Sequence, residues 1–138
     1  MRVPSMKTKR GRIYSATLLL LLITACSINV PVERVFGTYT ASYPFGTDKI
    51  TLRRDFTFVQ TVTLNNRDSA KTTGRWEFDS DNSRSRVNLY GALNITDPFD
   101  NLQEDWKEPA SGIVSLPVEE IWFRVQMTSS NEHPYIHD

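Results

Sequence analysis

The stretch "VFGTYTASYPFGTDKITLRRDFTFVQTVTL", residues 35–64, decides the fold. Apolar and polar residues alternate along it with a period of two. That is the spacing at which a strand sends successive side chains to opposite faces. Val35, Gly37, Tyr39, Ala41 and Tyr43 fall on one face, against Phe36, Thr38, Thr40 and Ser42 on the other. "PFG" at 44–46 is a turn signal, and Ile50 and Leu52 then oppose Lys49, Thr51 and Arg53. After Asp55, the residues Phe56, Phe58, Val62 and Leu64 share a face on which Gln60 is the polar exception. "NNRD" at 65–68 is made of residues suited to a hairpin loop, where positive φ is common.

The rhythm continues outward. "AKTTGRWEFD" (70–79) turns Trp76 and Phe78 inward, and "RVNLYGAL" (86–93) does the same with Val87 and Leu89. Five strands thus follow one another at intervals of about 10–12 residues, joined by short polar turns, which is the signature of an antiparallel meander. Residues 94–117 break the pattern with Pro98, Pro109, Pro117 and five acids, and read as a long acidic loop covering one opening. "EEIWFRVQM" (119–127) reads as a sixth strand, with Ile121, Phe123, Val125 and Met127 inward. The expected fold is therefore all-β, an up-and-down meander of about six strands. Six strands are few for a full barrel and leave two edges, so the expectation is a strongly twisted, incompletely closed barrel. Residues 35–128 form this domain, and 129–138 form a polar tail.

The charge is unevenly placed. Arg2, Lys7, Lys9, Arg10 and Arg12 precede Cys26 without a single acid, whereas the remainder carries all 16 Asp and Glu against 11 Lys and Arg, a formal −5. An acidic body without a basic stripe argues against nucleic acid as a partner. The leading basic residues are followed by an apolar run, "ATLLLLLIT" (16–24), of about 9–11 residues, too short for the ~20 that a spanning helix requires. Basic flank, short apolar run and small residues have the layout of a secretory signal. The reading is a signal peptide over 1–25 and a tether over 26–34.

Ile23-Thr24-Ala25-Cys26 resembles the lipobox of bacterial lipoproteins. That resemblance implies that the Cys26 thiol takes a diacylglycerol, that the chain is cut before it, and that further acylation of the palmitate type gives a lipid anchor. Two or more acyl chains, at about 0.8 kcal/mol per buried CH₂, hold a protein stably on a membrane. Ser27 in the next position implies outer-membrane sorting, facing the periplasm, in a Gram-negative source. Cys26 is the only cysteine, so no disulfide supports the domain.

Within the strands, Gly37-Thr38-Tyr39, Ile50-Thr51-Leu52, Asp55-Phe56-Thr57-Phe58, Gly74-Arg75-Trp76 and Val87-Asn88-Leu89 together resemble small bacterial lipocalin-like lipoproteins of uncharacterised function. They are similar, more distantly, to the copper-resistance lipoproteins. The Cys-x-x-Cys of the latter is absent, which removes the basis for copper sensing. Phe56 stands where the first family usually has Gly.

The inventory of reactive side chains is thin. The only histidines, His133 and His137, lie in the tail with Pro134 between them, which disfavours a helical pair of metal ligands. The acids of 97–108 lack the spacing of a calcium loop. No catalytic constellation stands out, and neither an enzyme, a metal nor a cofactor is expected. Two functional readings remain. In the first, Tyr39, Phe58, Gln60, Trp76, Phe78 and Phe123 line a pocket for a small apolar ligand, or the barrel binds an envelope protein. In the second, these residues fill a solid core, and Tyr90, Trp122 and the acidic loop form a contact surface.

Overall fold

The computed structural model describes residues 29–81, 84–129 and 133–138. The signal region, Cys26 and Ser27 lie outside the described residues. Eight antiparallel strands run up and down in chain order and close into a barrel: β1 (Gly37–Tyr43), β2 (Gly46–Leu52), β3 (Thr57–Leu64), β4 (Ser69–Ser80), β5 (Ser85–Tyr90), β6 (Ile113–Ile121), β7 (Arg124–Met127) and β8 (Tyr135–His137). The all-β meander is as the alternation predicts. The two additional strands close it.

The first added strand comes from "EEIWFRVQM", which is a hairpin and not one strand. Ile121 pairs with Arg124, and Trp122 and Phe123 form the two-residue turn, with φ of 51° and 66°. Such turns are normally built from Asn and Gly, so the alternation conceals this one. Val125 and Met127 do point inward, but Phe123 is 88% exposed and lines no interior. The second added strand comes from the tail. Tyr135–His137 inserts between β7 and β1, with Met127↔Tyr135 on one side and Tyr39↔His137 on the other. The residues read as a polar tail thus complete the wall.

Two further boundaries shift. The long loop ends at Gly112, because β6 begins at Ile113 and includes Pro117, whose carbonyl accepts the Thr128 N–H at 2.9 Å. The described part of the segment read as a tether, residues 29–34, is already packed: a 3-10 turn, Val32–Arg34, precedes β1, and Val30 is buried in the core, as is Val35 at the start of the domain. Strand direction divides the connections between two ends. At the proximal end, where β1 starts, lie the β2–β3, β4–β5 and β6–β7 hairpins. At the distal end lie the β1–β2 and β3–β4 turns, the 91–112 loop and the approach to β8.

The glycines of the Gly-x-Tyr and Gly-x-Trp motifs have a steric role. A Cβ on Gly37 would lie 2.2 Å from the His137 ring, which packs edge-on against Tyr39 at 4.9 Å. A Cβ on Gly74 would lie 2.1 Å from the Tyr90 carbonyl oxygen and 2.6 Å from the Phe58 ring. Gly74 sits near the point where β4 exchanges partners, its first half pairing with β3 and its second with β5. The β2–β3 and β3–β4 connections share one design. In each, a turn N–H bonds back three residues, Phe56 to Arg53 and Arg67 to Leu64, and that residue takes positive φ (61° and 69°). Phe56 therefore occupies the left-handed position that a Gly fills without strain. It is held there by Phe36 and Trp76, whose rings lie 6.0 and 5.0 Å from its own.

Two outcomes follow for stability. Gly74→Ala forces its methyl into backbone as well as a ring, and should cost roughly 3 kcal/mol in denaturant unfolding. Replacing the turn by Trp122→Asn with Phe123→Gly removes left-handed strain at two exposed residues. It should stabilise the barrel by about 1 kcal/mol, read as a melting point several degrees higher.

Candidate functional site

The interior is filled by side chains. Tyr39, Phe58 and Trp76 are fully buried, Gln60 nearly so, and Phe78 packs half-buried against the core. Trp76 donates its indole N–H to the Arg53 carbonyl at 3.1 Å, and Tyr39 donates its hydroxyl to Val35 O at 2.8 Å. These polar ends are thus satisfied by backbone at the proximal end, as buried Trp and Tyr require. Five of the six residues read as pocket lining come together in or against the core, and Phe123 does not.

Gln60, the polar exception, has a partner that the sequence reading passed over. Asp48 lies in phase with Ile50 and Leu52 and is fully buried. Its Oδ2 accepts hydrogen bonds from Gln60 Nε2 at 2.8 Å and from the Tyr135 hydroxyl at 2.6 Å. Gln60 Oε1 in turn accepts the Leu93 N–H at 2.7 Å. One carboxylate oxygen therefore connects β2 to β3, to the start of the long loop, and to the closing strand. The period-two alternation was the available signal, because it places Asp48 on the apolar face.

Burial dominates the electrostatics. Desolvation pushes the Asp48 carboxyl up to about 6, partly offset by its bonds to Tyr135 and Gln60. Tyr135 is raised well above the ordinary phenol value by burial first and then by the Asp48 charge, and Tyr43 is raised by burial. Asp48 Oδ1 has no hydrogen-bond partner among the described residues, so a proton there relieves an unsolvated charge.

A pocket of about 180 Å³ opens at the distal mouth beside this network. Tyr43, Leu93, Ile95, Leu116 and Tyr135 are among its walls. Tyr39, Phe58, Gln60, Trp76 and Phe78 do not line it. The long loop folds over this end and contributes Ala92, Leu93, Ile95 and Trp106 to the core. Asp97 organises its tip by accepting the N–H groups of Phe99 at 2.7 Å and Asn101 at 3.0 Å, which lowers the Asp97 carboxyl below its ordinary value. The residues around 101–107 form turns and no helix.

His133 lies 3.8 Å from Asp100, and His137 bonds to backbone oxygens. Among the described residues no group of three or more His, Cys, Asp or Glu is placed to hold a metal ion. Nor, among them, is any helix long and apolar enough to cross a membrane. No protein-family model, no curated protein and no solved structure matches the chain.

The Asp48 network makes stability depend on pH. The unfolded carboxyl releases its proton near 3.8 and the folded one near 6. The folded chain therefore holds the extra proton between these values. The contribution is full below about pH 4, falls as pH rises through 6, and levels off above, a loss on the order of 3 kcal/mol. Asn at this position keeps an acceptor for Gln60 and Tyr135 but carries no charge. The Asp48→Asn variant should lose this pH dependence, and its stability relative to the parent should grow between pH 4 and 7 in denaturant titrations.

Proposed function

We propose that the protein is a membrane-anchored lipoprotein of the bacterial cell envelope. It acts without catalysis, as a structural or protein-interaction module whose barrel is filled rather than hollow. The observation that carries the second part is the interior itself: Tyr39, Phe58 and Trp76 leave no exposed surface, while Trp122 and Phe123 are almost wholly exposed. The buried aromatic rings are thus taken up by packing, and the exposed ones face away from the interior, which leaves no inward aromatic surface for a ligand. The anchor part rests on the lipobox resemblance at Cys26, with Ser27 fitting the outer membrane, facing the periplasm, in a Gram-negative source.

A small apolar ligand is the second reading, and the distal pocket is the observation that favours it. At about 180 Å³ it falls below the roughly 300–1,000 Å³ of ordinary ligand sites, so it accommodates only a small guest. In the first reading, the distal loop is the surface offered to an envelope protein. It carries Phe99, 83% exposed, among Asp97, Asp100 and Glu104.

Native mass spectrometry after mild extraction separates the two. The expected result is a bare chain that begins at Cys26 and carries the mass of its acyl groups. A small molecule retained in stoichiometric amount contradicts the filled-barrel reading. Cys26→Ser should abolish both processing and membrane association, and unchanged fractionation of that variant removes the anchor reading.

A further inference from the structure

We propose that the β6–β7 tip, Trp122 with Phe123, inserts into the headgroup–acyl boundary of the lipid bilayer on which the chain is anchored, and so docks the barrel by its proximal end. The inference rests on the anchor reading above and adds to it the face and the residues that meet the membrane.

Four observations converge on this tip. Trp122 is 91% exposed and Phe123 88%, so neither ring is used in the barrel's own packing. Both hold positive φ, a conformation that disfavours bulky side chains, and at 91% and 88% exposure neither ring is packed among the described residues in a way that repays that strain. Their chemistry suits an interface, because aromatic rings, Trp above all, concentrate at the level of lipid headgroups. Ile121 and Phe56, each close to half exposed, extend the apolar surface at the same end.

The fourth observation concerns position. The chain enters the barrel at the proximal end, and its entry is fixed to the tip: Arg34 pairs with Glu120 and donates to the Phe123 carbonyl at 3.0 Å. Val30 is already buried, so the free tether is short. Only three peptide steps separate Cys26 from Asn29, a span of at most about 11 Å. That is comparable with the depth of the interfacial zone, about 5–10 Å, into which amphipathic elements bury their apolar faces. A barrel tethered so closely presents its proximal end to the bilayer before any protein can reach it, which favours lipid over a protein as the occupant.

Arg34 and Glu120 beside the tip pair with each other, and the two rings that enter the boundary carry no charge, so insertion is driven by apolar burial. It should persist at about 0.5 M salt, where exposed charges are screened.

Trp122 reports the contact directly, because Trp76 and Trp106 are buried. The full-length protein is reconstituted into vesicles of phosphatidylethanolamine and phosphatidylglycerol, with part of the lipid brominated near the top of its acyl chains. Insertion predicts a loss of tryptophan emission that Trp122→Phe eliminates, with emission shifted to the blue. Trp122→Asn with Phe123→Gly should eliminate it as well, although that variant folds more stably. Intact mass read on the same sample keeps the two readings apart. Acylated protein with Trp122 unquenched overturns tip insertion and leaves the anchor standing. Unacylated, vesicle-bound protein with Trp122 quenched overturns the anchor and leaves tip insertion standing. Trp122 open to aqueous iodide on vesicles, yet shielded in native envelope membranes, assigns the tip to a protein and overturns the proposal.

Discussion

The barrel depends on the hydrogen bond from Tyr135 to Asp48. β8 has only three residues and makes two register pairs on each side, so its own ladder is thin. Backbone pairing alone holds such a strand weakly, because each bond contributes only about 1 kcal/mol net. Side chains supply the remainder. Tyr135 is buried with its hydroxyl on Asp48, and His137 lies across Gly37 against Tyr39. Asp138 extends the seam through its N–H to the Thr38 carbonyl at 2.9 Å and its carboxylate to Thr40. Without these anchors β1 and β7 face each other as open edges, the arrangement that sheets otherwise avoid by closure or cover.

The same carboxylate coordinates more than the seam. Through Gln60 it fixes Leu93, and Leu93 begins the loop that covers the distal mouth. Closing the wall and capping the end are therefore one event, carried by one buried acid. A half-satisfied buried acid is an expensive way to do this, since Oδ1 is left without a partner. Burying the charge costs stability at neutral pH, and the protein accepts that cost to specify which strand closes the barrel. The two ends consequently differ in character. The distal end is polar, acidic and covered by an ordered loop. The proximal end receives the chain, with Val35 buried just before β1, and carries the exposed, strained aromatic tip. The described left-handed non-glycine residues, Phe56, Arg67, Asp100, Trp122 and Phe123, all lie in turns and loops, and the two that adjoin form the exposed tip.

How much of this was legible in the sequence can be argued from individual residues. The first five strands follow from alternation, because burial on one face of a sheet imposes a period of two that composition cannot hide. Tyr39, Ile50, Leu52, Phe58, Val62, Trp76, Val87 and Leu89 all lie inward as that period requires. The same rule, applied without regard to chemistry, also places Asp48 inside. It was missed because an acid on an apolar face reads as an interruption, and only a distant Tyr135 makes it tolerable. Phe123 was misplaced for the opposite reason. Its alternation is real, but a two-residue turn preserves period two across the hairpin, so the pattern carries no mark of the chain reversal. Phe56 shows the limit of turn chemistry: a left-handed turn position ordinarily calls for Gly or Asn, and its tolerance of a bulky ring depends on Phe36 and Trp76.

Local pattern is enough for the class of fold, the core faces of the early strands and the placing of a long acidic connection at one opening. These are set by short-range periodicity and turn composition, which act over a few residues. Long-range contacts are what make eight strands close, bring a polar tail in as the last of them, and set the aromatic tip and the chain's entry at one end. Each of these depends on partners far apart in the chain, such as Asp48 with Tyr135 and Arg34 with Glu120. Local spacing carries no information about such pairs. They become favourable only once the intervening strands have curved far enough to bring the two edges of the sheet together.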